Sequence, residues 1–271
     1  MLATGAAQRP AGEGCGSSCG CASPAGASAP GCSAAAERVI VAMDCTAQRA
    51  LELGDAMAGR LVWAKVGMEL FYAAGAPVVS ELKARGLHVF LDLKLHDIPN
   101  TVRQAARVLA GLGVDMLTVH AGGGPAMVAA AREGLDEGAA AAGLPAPKLL
   151  AVTVLTSIDD AELARVGIER GAAAQARLLA RMAYAAGADG VVCSAREASD
   201  MRAELGADAL IVTPGIRPAG ADAGDQARVV TPGMAIAAGS THLVVGRPIT
   251  KADDPCAALS AIEDEVAAAL A

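Results

Sequence analysis

The feature that most constrains this chain is an alternation sustained from Arg38 to the C-terminus, in which short runs rich in Val, Ile and Leu are separated by stretches of helical period. The β-type runs fall at residues 39–43, 61–66, 88–93, 116–120, 149–155, 190–193, 209–213 and 242–245. Helical patterns include residues 48–58, 70–84, 101–110, 125–141, 172–186 and 195–205. Strand and helix in strict alternation imply parallel strands joined by right-handed crossovers. Eight such units within residues 37–271 match the usual size of a (β/α)8 TIM barrel of the α/β class. An open doubly wound sheet would normally carry a Gly-rich turn after its first strand, and here Met43-Asp44-Cys45-Thr46 stands there instead.

Polar residues fall where a barrel would use them. Asp44, Lys65, Asp92, Lys94, His120, Thr156, Ser194, Pro214-Gly215 and Gly246-Arg247 all lie at or just after the carboxyl ends of the expected strands, and in a barrel those ends converge on one mouth. The third strand is the most unusual. Side chains at i and i+2 of a strand point the same way, so Asp92 and Lys94 project together, with Phe90 deeper on the same face and Leu91, Leu93 and Leu95 opposite. Charges facing a core are rare without a function.

Composition narrows the partners. The net charge of −7 and isoelectric point near 5.1 argue against a broad nucleic-acid or membrane-surface footprint, which needs clustered Lys and Arg. An anionic small molecule remains compatible, because one or two arginines and oriented N–H groups suffice for a phosphate. No apolar run approaches the roughly 18 to 20 residues of a membrane span, and no charged n-region precedes an apolar stretch, so a cytoplasmic protein is expected.

Residues 1–36 are mostly Gly, Ala, Ser, Pro and Cys without hydrophobic period, and are expected to be disordered. Cys15, Cys19, Cys21 and Cys32 in that stretch lack paired C-x2-C spacing and have no histidine among them, so a metal module is not expected. His88, His96, His120 and His242 share no ligand spacing. Gly122–Gly124 is followed by no Gly-Lys-Ser/Thr of a P-loop, and Cys193-Ser194 lacks the Gly-x-Ser-x-Gly frame of a hydrolase elbow.

The pattern Asp-x-Lys-x-x-Asp-Ile-Pro-Asn-Thr over residues 92–101, with Val-Ile-Val-Ala-Met-Asp ending at Asp44, Lys-Val-Gly-Met-Glu-Leu-Phe from Lys65 and Val-Thr-Val-Leu-Thr-Ser ending at Ser157, resembles the orotidine 5'-phosphate decarboxylase family. Val-Thr-Pro-Gly-Ile-Arg-Pro around Arg217, Asp-Gln-Ala-Arg around Gln226 and Val-Val-Gly-Arg-Pro-Ile-Thr around Arg247 complete the resemblance, which covers residues 38–269. It implies decarboxylation of orotidine 5'-phosphate to UMP and CO2, without metal or organic cofactor, by a homodimer with shared active sites. It implies a Lys65–Asp92–Lys94–Asp97 array in which Lys94 stabilises and protonates the C6 carbanion and Asp97 enters the neighbouring subunit's site. Asp44 and Lys65 are then ribose ligands; Thr101 contacts the partner site's ribose, caps its helix, or does both. Thr156 and Ser157 suit the pyrimidine edge, Gly246, Arg247 and Arg217 the phosphate, and Gln226 a bridge between phosphate and base from a loop spanning residues 216–230. A sugar-phosphate decarboxylase or aldolase of the same superfamily shares the Asp-x-Lys-x-x-Asp strand but looks to use magnesium; the Pro-Gly-Ile-Arg-Pro and Asp-Gln segments favour the nucleotide enzyme.

Overall fold

The structure, a computed structural model, describes residues 33–218 and 230–271. Among these, eight strands run in chain order: β1 (Val39–Ala42), β2 (Trp63–Gly67), β3 (His88–Leu95), β4 (Met116–His120), β5 (Lys148–Val152), β6 (Gly190–Val192), β7 (Leu210–Thr213) and β8 (His242–Val245). Each pairs in parallel with the next, and β8 returns to β1, closing the barrel. The expected (β/α)8 architecture is present, with each expected run overlapping a strand.

The helices are α1 (Ala47–Ala56), α2 (Met68–Ala74), α3 (Ala76–Ala84), α4 (Pro99–Ala110), α5 (Pro125–Ala142), α6 (Asp160–Arg165), α7 (Ala172–Ala185), α8 (Ala198–Leu205), α9 (Pro232–Ala237), α10 (Arg247–Thr250) and α11 (Pro255–Leu270). The single helix expected over residues 70–84 is two, because Gly75 takes φ +66 and Pro77 opens α3 in its first turn. The stretch at 195–205 begins as a 3-10 turn, which Ser194 and Glu197 close with a reciprocal capping box, so Ser194 is structural. Helix α4 starts two residues earlier than expected, with Ile98 at its N-cap; Thr101 therefore lies within the first turn and is not the cap.

Alternation along the strands divides the apolar residues into two sets. Ile40, Ala42, Trp63, Phe90, Met116, Leu150, Val212 and Val244 fill the lumen, while Val41, Ala64, Leu91, Leu117, Ala151 and Val245 face the surrounding helices. A sequence with only 2% aromatics places Phe90 and its one tryptophan inside the barrel, where bulk is needed. Outside it, small residues let helices close in: a Cβ on Gly134 or Gly138 of α5 would collide with the carbonyl oxygens of Arg103 and Arg107 on α4. Arg103 reinforces that contact through ion pairs with Glu133 and Glu137.

Of the segment expected to lack structure, residues 1–32 lie outside the described residues. Residues 33–36 are described, and Ala35 and Ala36 are buried, with the Ala36 N–H donating to Ser33 Oγ at 3.1 Å. Ala35 belongs to the hydrophobic core and Ala36 opens a 3-10 turn that leads into β1.

Candidate active site

Four charged side chains, Asp44 just beyond β1, Lys65 on β2 and Asp92 and Lys94 on β3, form a row at the barrel mouth. Lys65 Nζ lies 3.0 Å from Asp44 Oδ1 and 3.7 Å from Asp92 Oδ2, and Lys94 Nζ lies 2.8 Å from Asp92 Oδ1. Sign alternates along the row, so each ammonium has a carboxylate beside it and the inner carboxylate has two ammonium groups. That arrangement is what allows charge to persist at low exposure: only 10% of the Lys65 side chain and 13% of that of Asp92 is accessible.

The backbone departs from regular strand geometry to make this row. Lys94 adopts φ +53, the single positive φ among the described residues other than glycine. Between Leu91 and Leu95 the β3–β4 register shifts, so β3 advances from Leu91 to Leu95 while β4 advances only from Leu117 to Leu95's partner Val119. Gly67, two residues beyond Lys65 on the same inward face, also takes part. A Cβ there would lie 2.9 Å from Lys65 Nζ and 3.1 Å from Asp44 Oδ1, so any side chain at that position would displace the ends of this pair.

A cavity of about 440 Å3 adjoins the row. Phe90, Val152, Val192 and Val244 form its apolar floor, Thr156 stands on one side, and Gly246, Arg247 and Arg217 line the wall with Thr250 and Lys251. Arg217 is buried; its Nη1 donates to the Ile216 carbonyl at 3.2 Å, and its N–H donates to the Val230 carbonyl at 3.1 Å. The lining thus combines a mixed-charge row, apolar side chains and a cationic group of Arg217, Arg247 and Lys251, which suits a ligand with an anionic group and a flat body.

Asp44, Lys65, Asp92, Lys94, Thr156, Arg217, Gly246 and Arg247 all line this cavity, as expected from sequence. Ser157 is exposed beside Thr156 and does not line it. Asp97 and Thr101 are exposed and also stand apart from it within one chain; Asp97 Oδ1 accepts from the Ile98 N–H at 2.6 Å. Gln226 lies outside the described residues. His120 packs tilted against His96, with ring centroids 5.6 Å apart, and burial, His96 and Lys94 hold its pKa below the ordinary histidine value. Cys193 borders the cavity, and burial pushes its thiol well above the usual range, which opposes thiolate formation. Among the described residues, no three His, Cys, Asp or Glu side chains converge as a metal site.

Sequence reasoning passed over Gly67, Thr118 and Lys251. Gly67 and Thr118 were detectable as inward positions, two residues past Lys65 and two before His120. Lys251 follows the Gly246–Arg247 turn at a spacing that assigns it no side of the barrel.

A closed parallel barrel whose carboxyl-end mouth carries a charge-lined cavity is the design of a (β/α)8-barrel enzyme. The model of the orotidine 5'-phosphate decarboxylase / HUMPS family matches residues 37–262. An orotidine 5'-phosphate decarboxylase of Alkalilimnicola ehrlichii is 53% identical over 232 residues, covering 85% of this chain and 97% of that protein. One from Moorella thermoacetica is 52% identical over 234 residues, covering 86% and 93%. The crystal structure of orotidine 5'-phosphate decarboxylase from Lactobacillus acidophilus superposes with a TM-score of 0.75 at 45% identity, covering 85% of this chain and 99% of that one. The chain belongs to the orotidine 5'-phosphate decarboxylase / HUMPS family.

Proposed function

We propose that this chain decarboxylates orotidine 5'-phosphate to UMP and CO2 in the cytoplasm, the last step of UMP synthesis, and that residues 37–271 form the catalytic unit. The observation that carries the mechanism is the Asp44–Lys65–Asp92–Lys94 row on a cavity that Arg217 and Arg247 also line. The phosphate sits at the arginine wall, where a guanidinium fork and the Gly246 backbone can meet its oxygens. Thr156 faces the pyrimidine edge, and Asp44 and Lys65 meet the ribose hydroxyls. C6 then lies against Lys94.

When the bond from C6 to the carboxylate breaks, its electron pair stays in an sp2 orbital at C6 and CO2 departs. The Lys94 ammonium stabilises that charge and gives its proton to C6, forming UMP; the neutral amine regains a proton from water. Electrons and protons balance with the lysine as sole donor, so the step requires neither metal nor organic cofactor. Asp92 holds the ammonium 2.8 Å away and lies near the departing carboxylate.

Asp97 completes the array from a neighbouring subunit, with Thr101 reaching the same site, in a homodimer with shared active sites. Supporting this, both residues are exposed and stand apart from the cavity of their own chain, on a segment where Ile98 is 66% exposed. Gln226, outside the described residues, is the proposed bridge between phosphate and base. The acidic surface fits a small-molecule enzyme that binds no nucleic acid or membrane, and no described helix is long and apolar enough to cross one.

The test is to follow orotidine 5'-phosphate absorbance in metal-free buffer containing EDTA. Unchanged turnover is expected. A rate lost to chelation and restored by magnesium would replace this reading with sugar-phosphate chemistry.

A further inference from the structure

We infer that Thr118 is a positioning residue for decarboxylation, whose single hydroxyl holds both the backbone and the side-chain partner of Lys94 in place; this rests on the role proposed for Lys94. Thr118 is fully buried at the centre of β4, facing inward beside β3. Its Oγ1 donates to Asp92 Oδ1 at 3.0 Å and accepts from the Lys94 N–H at 2.9 Å. Asp92 Oδ1 is the same oxygen that receives Lys94 Nζ at 2.8 Å. Thr118, Asp92 and Lys94 therefore form a closed ring of contacts, anchored on a strand that carries no charge of its own in the row.

The reason a hydroxyl is needed lies in the register. Backbone pairing between β3 and β4 is regular at Phe90–Met116 and Leu91–Leu117 and resumes only at Leu95–Val119. Thr118 stands opposite the interruption, where β3 has extra residues and Lys94 sits at φ +53. A bulge removes the ladder acceptor that the Lys94 N–H would otherwise use. A buried N–H without a partner is unfavourable, and a left-handed lysine persists only where its surroundings hold it. The Thr118 hydroxyl supplies that acceptor and uses its one proton on Asp92, so both halves of its hydrogen-bonding capacity are directed at the catalytic pair. Valine would match threonine in shape and satisfy neither.

Because Thr118 does not line the cavity, its loss should alter the rate and spare binding. Thr118→Val is expected to lower kcat by about ten- to a hundredfold, the scale of a small misplacement of a reacting group, with KM and the affinity for UMP within about twofold of the parent. Thr118→Ser, which keeps the hydroxyl and loses only the methyl, is expected to stay within about threefold in kcat. Should the valine variant fail to fold, Thr118→Ala and Thr118→Ser carry the test, since both lack the methyl and differ only in the hydroxyl; a kcat at least about tenfold lower in the alanine variant supports the inference. Unchanged kcat in the folded valine variant overturns it, as does equal kcat in the alanine and serine variants or a loss confined to KM. Lys94→Ala assayed alongside separates the two levels: an inactive lysine variant with unaffected Thr118 variants removes only Thr118, whereas an active one removes the Lys94 mechanism and this inference with it.

Discussion

Strand β3 carries an ionic cluster at each end, and the two are built for opposite purposes. At its start, His88 Nδ1 meets Asp115 Oδ1 at 2.9 Å, while Lys83 Nζ and the Val89 N–H each reach Asp115 Oδ2 at 2.7 Å. Trp63 stacks on His88 with centroids 4.7 Å apart and meets His242 edge-on at 5.6 Å, closing the lumen. Backbone there is regular, and the cluster ties strands and a helix together. At the other end Asp92 and Lys94 make comparable contacts, but across a register shift, with a left-handed lysine, a closely approached glycine on β2 and an open cavity alongside. The same chemistry that seals one end is held under constraint at the other, which is how a barrel separates stability from activity along one strand.

The sharpest way to break this contrast is at Lys94. Lys94→Ala should leave native circular dichroism and reduce turnover by at least about a thousandfold, since preorganised charge is usually the largest catalytic contribution. Near-normal turnover in a folded variant would show that the mouth cluster is as structural as the base cluster. Asp97→Ala homodimers should also be nearly inactive if the site is shared. Mixing them with Lys94→Ala under subunit exchange would then give mixed dimers with one intact site, and recovery near roughly a quarter of parental activity for a two-fold dimer. Exchange seen by mass spectrometry without returning activity would put Asp97 outside its neighbour's site.

A smaller effect is expected at Gly67. Gly67→Ala pushes a methyl against Lys65 and Asp44, and kcat/KM should fall about ten- to a hundredfold with little change in melting temperature. A large loss of stability with full activity in the surviving protein would make the contact of Gly67 on β2 with the mouth cluster a structural one.

The mildest test concerns the base and reads stability against pH. Burial, aided by the Arg38 charge, lowers the His242 pKa to about 4. A histidine depressed in the folded state binds its proton more readily when unfolded, so its stabilising contribution is complete above the unfolded value of about 6.5 and is lost as pH falls toward 4. The loss is read as melting temperature against pH, and His242→Gln should flatten that step. Asp115 follows in a lower window. Burial opposes its ionised form, but the His88, Lys83 and Val89 hydrogen bonds outweigh it and hold the carboxyl below its usual range, so its contribution is present above about 3.9 and disappears as pH falls through the folded value. Activity losses parallel to the His242 step would mean that the two ends are coupled.

Much of this contrast could be read before any coordinates. The eight strands follow from alternation with helices, and the inward positions of Asp92 and Lys94 follow from a period of two; both are local properties of the chain. What escaped depends on relations between segments. Thr118 matters because of the β3–β4 register, which no single strand encodes. Gly67 matters because two other side chains approach it, and Asp97 lies away from the cavity in one chain because the relevant neighbour belongs to another in the proposed assembly. The break between α2 and α3 was nearer to hand, since Gly75 and Pro77 stand two apart within the expected helix.

Lys94 at φ +53 has a consequence for how this barrel responds to selection. A left-handed conformation costs a residue bearing a Cβ about 1 to 2 kcal/mol relative to one that adopts it freely, and glycine avoids that penalty. Screens rewarding thermal tolerance alone would press on Lys94 toward glycine or asparagine, and would enrich robust barrels that turn over nothing. A lysine held at such a position despite that cost is what the catalytic role proposed for Lys94 would require.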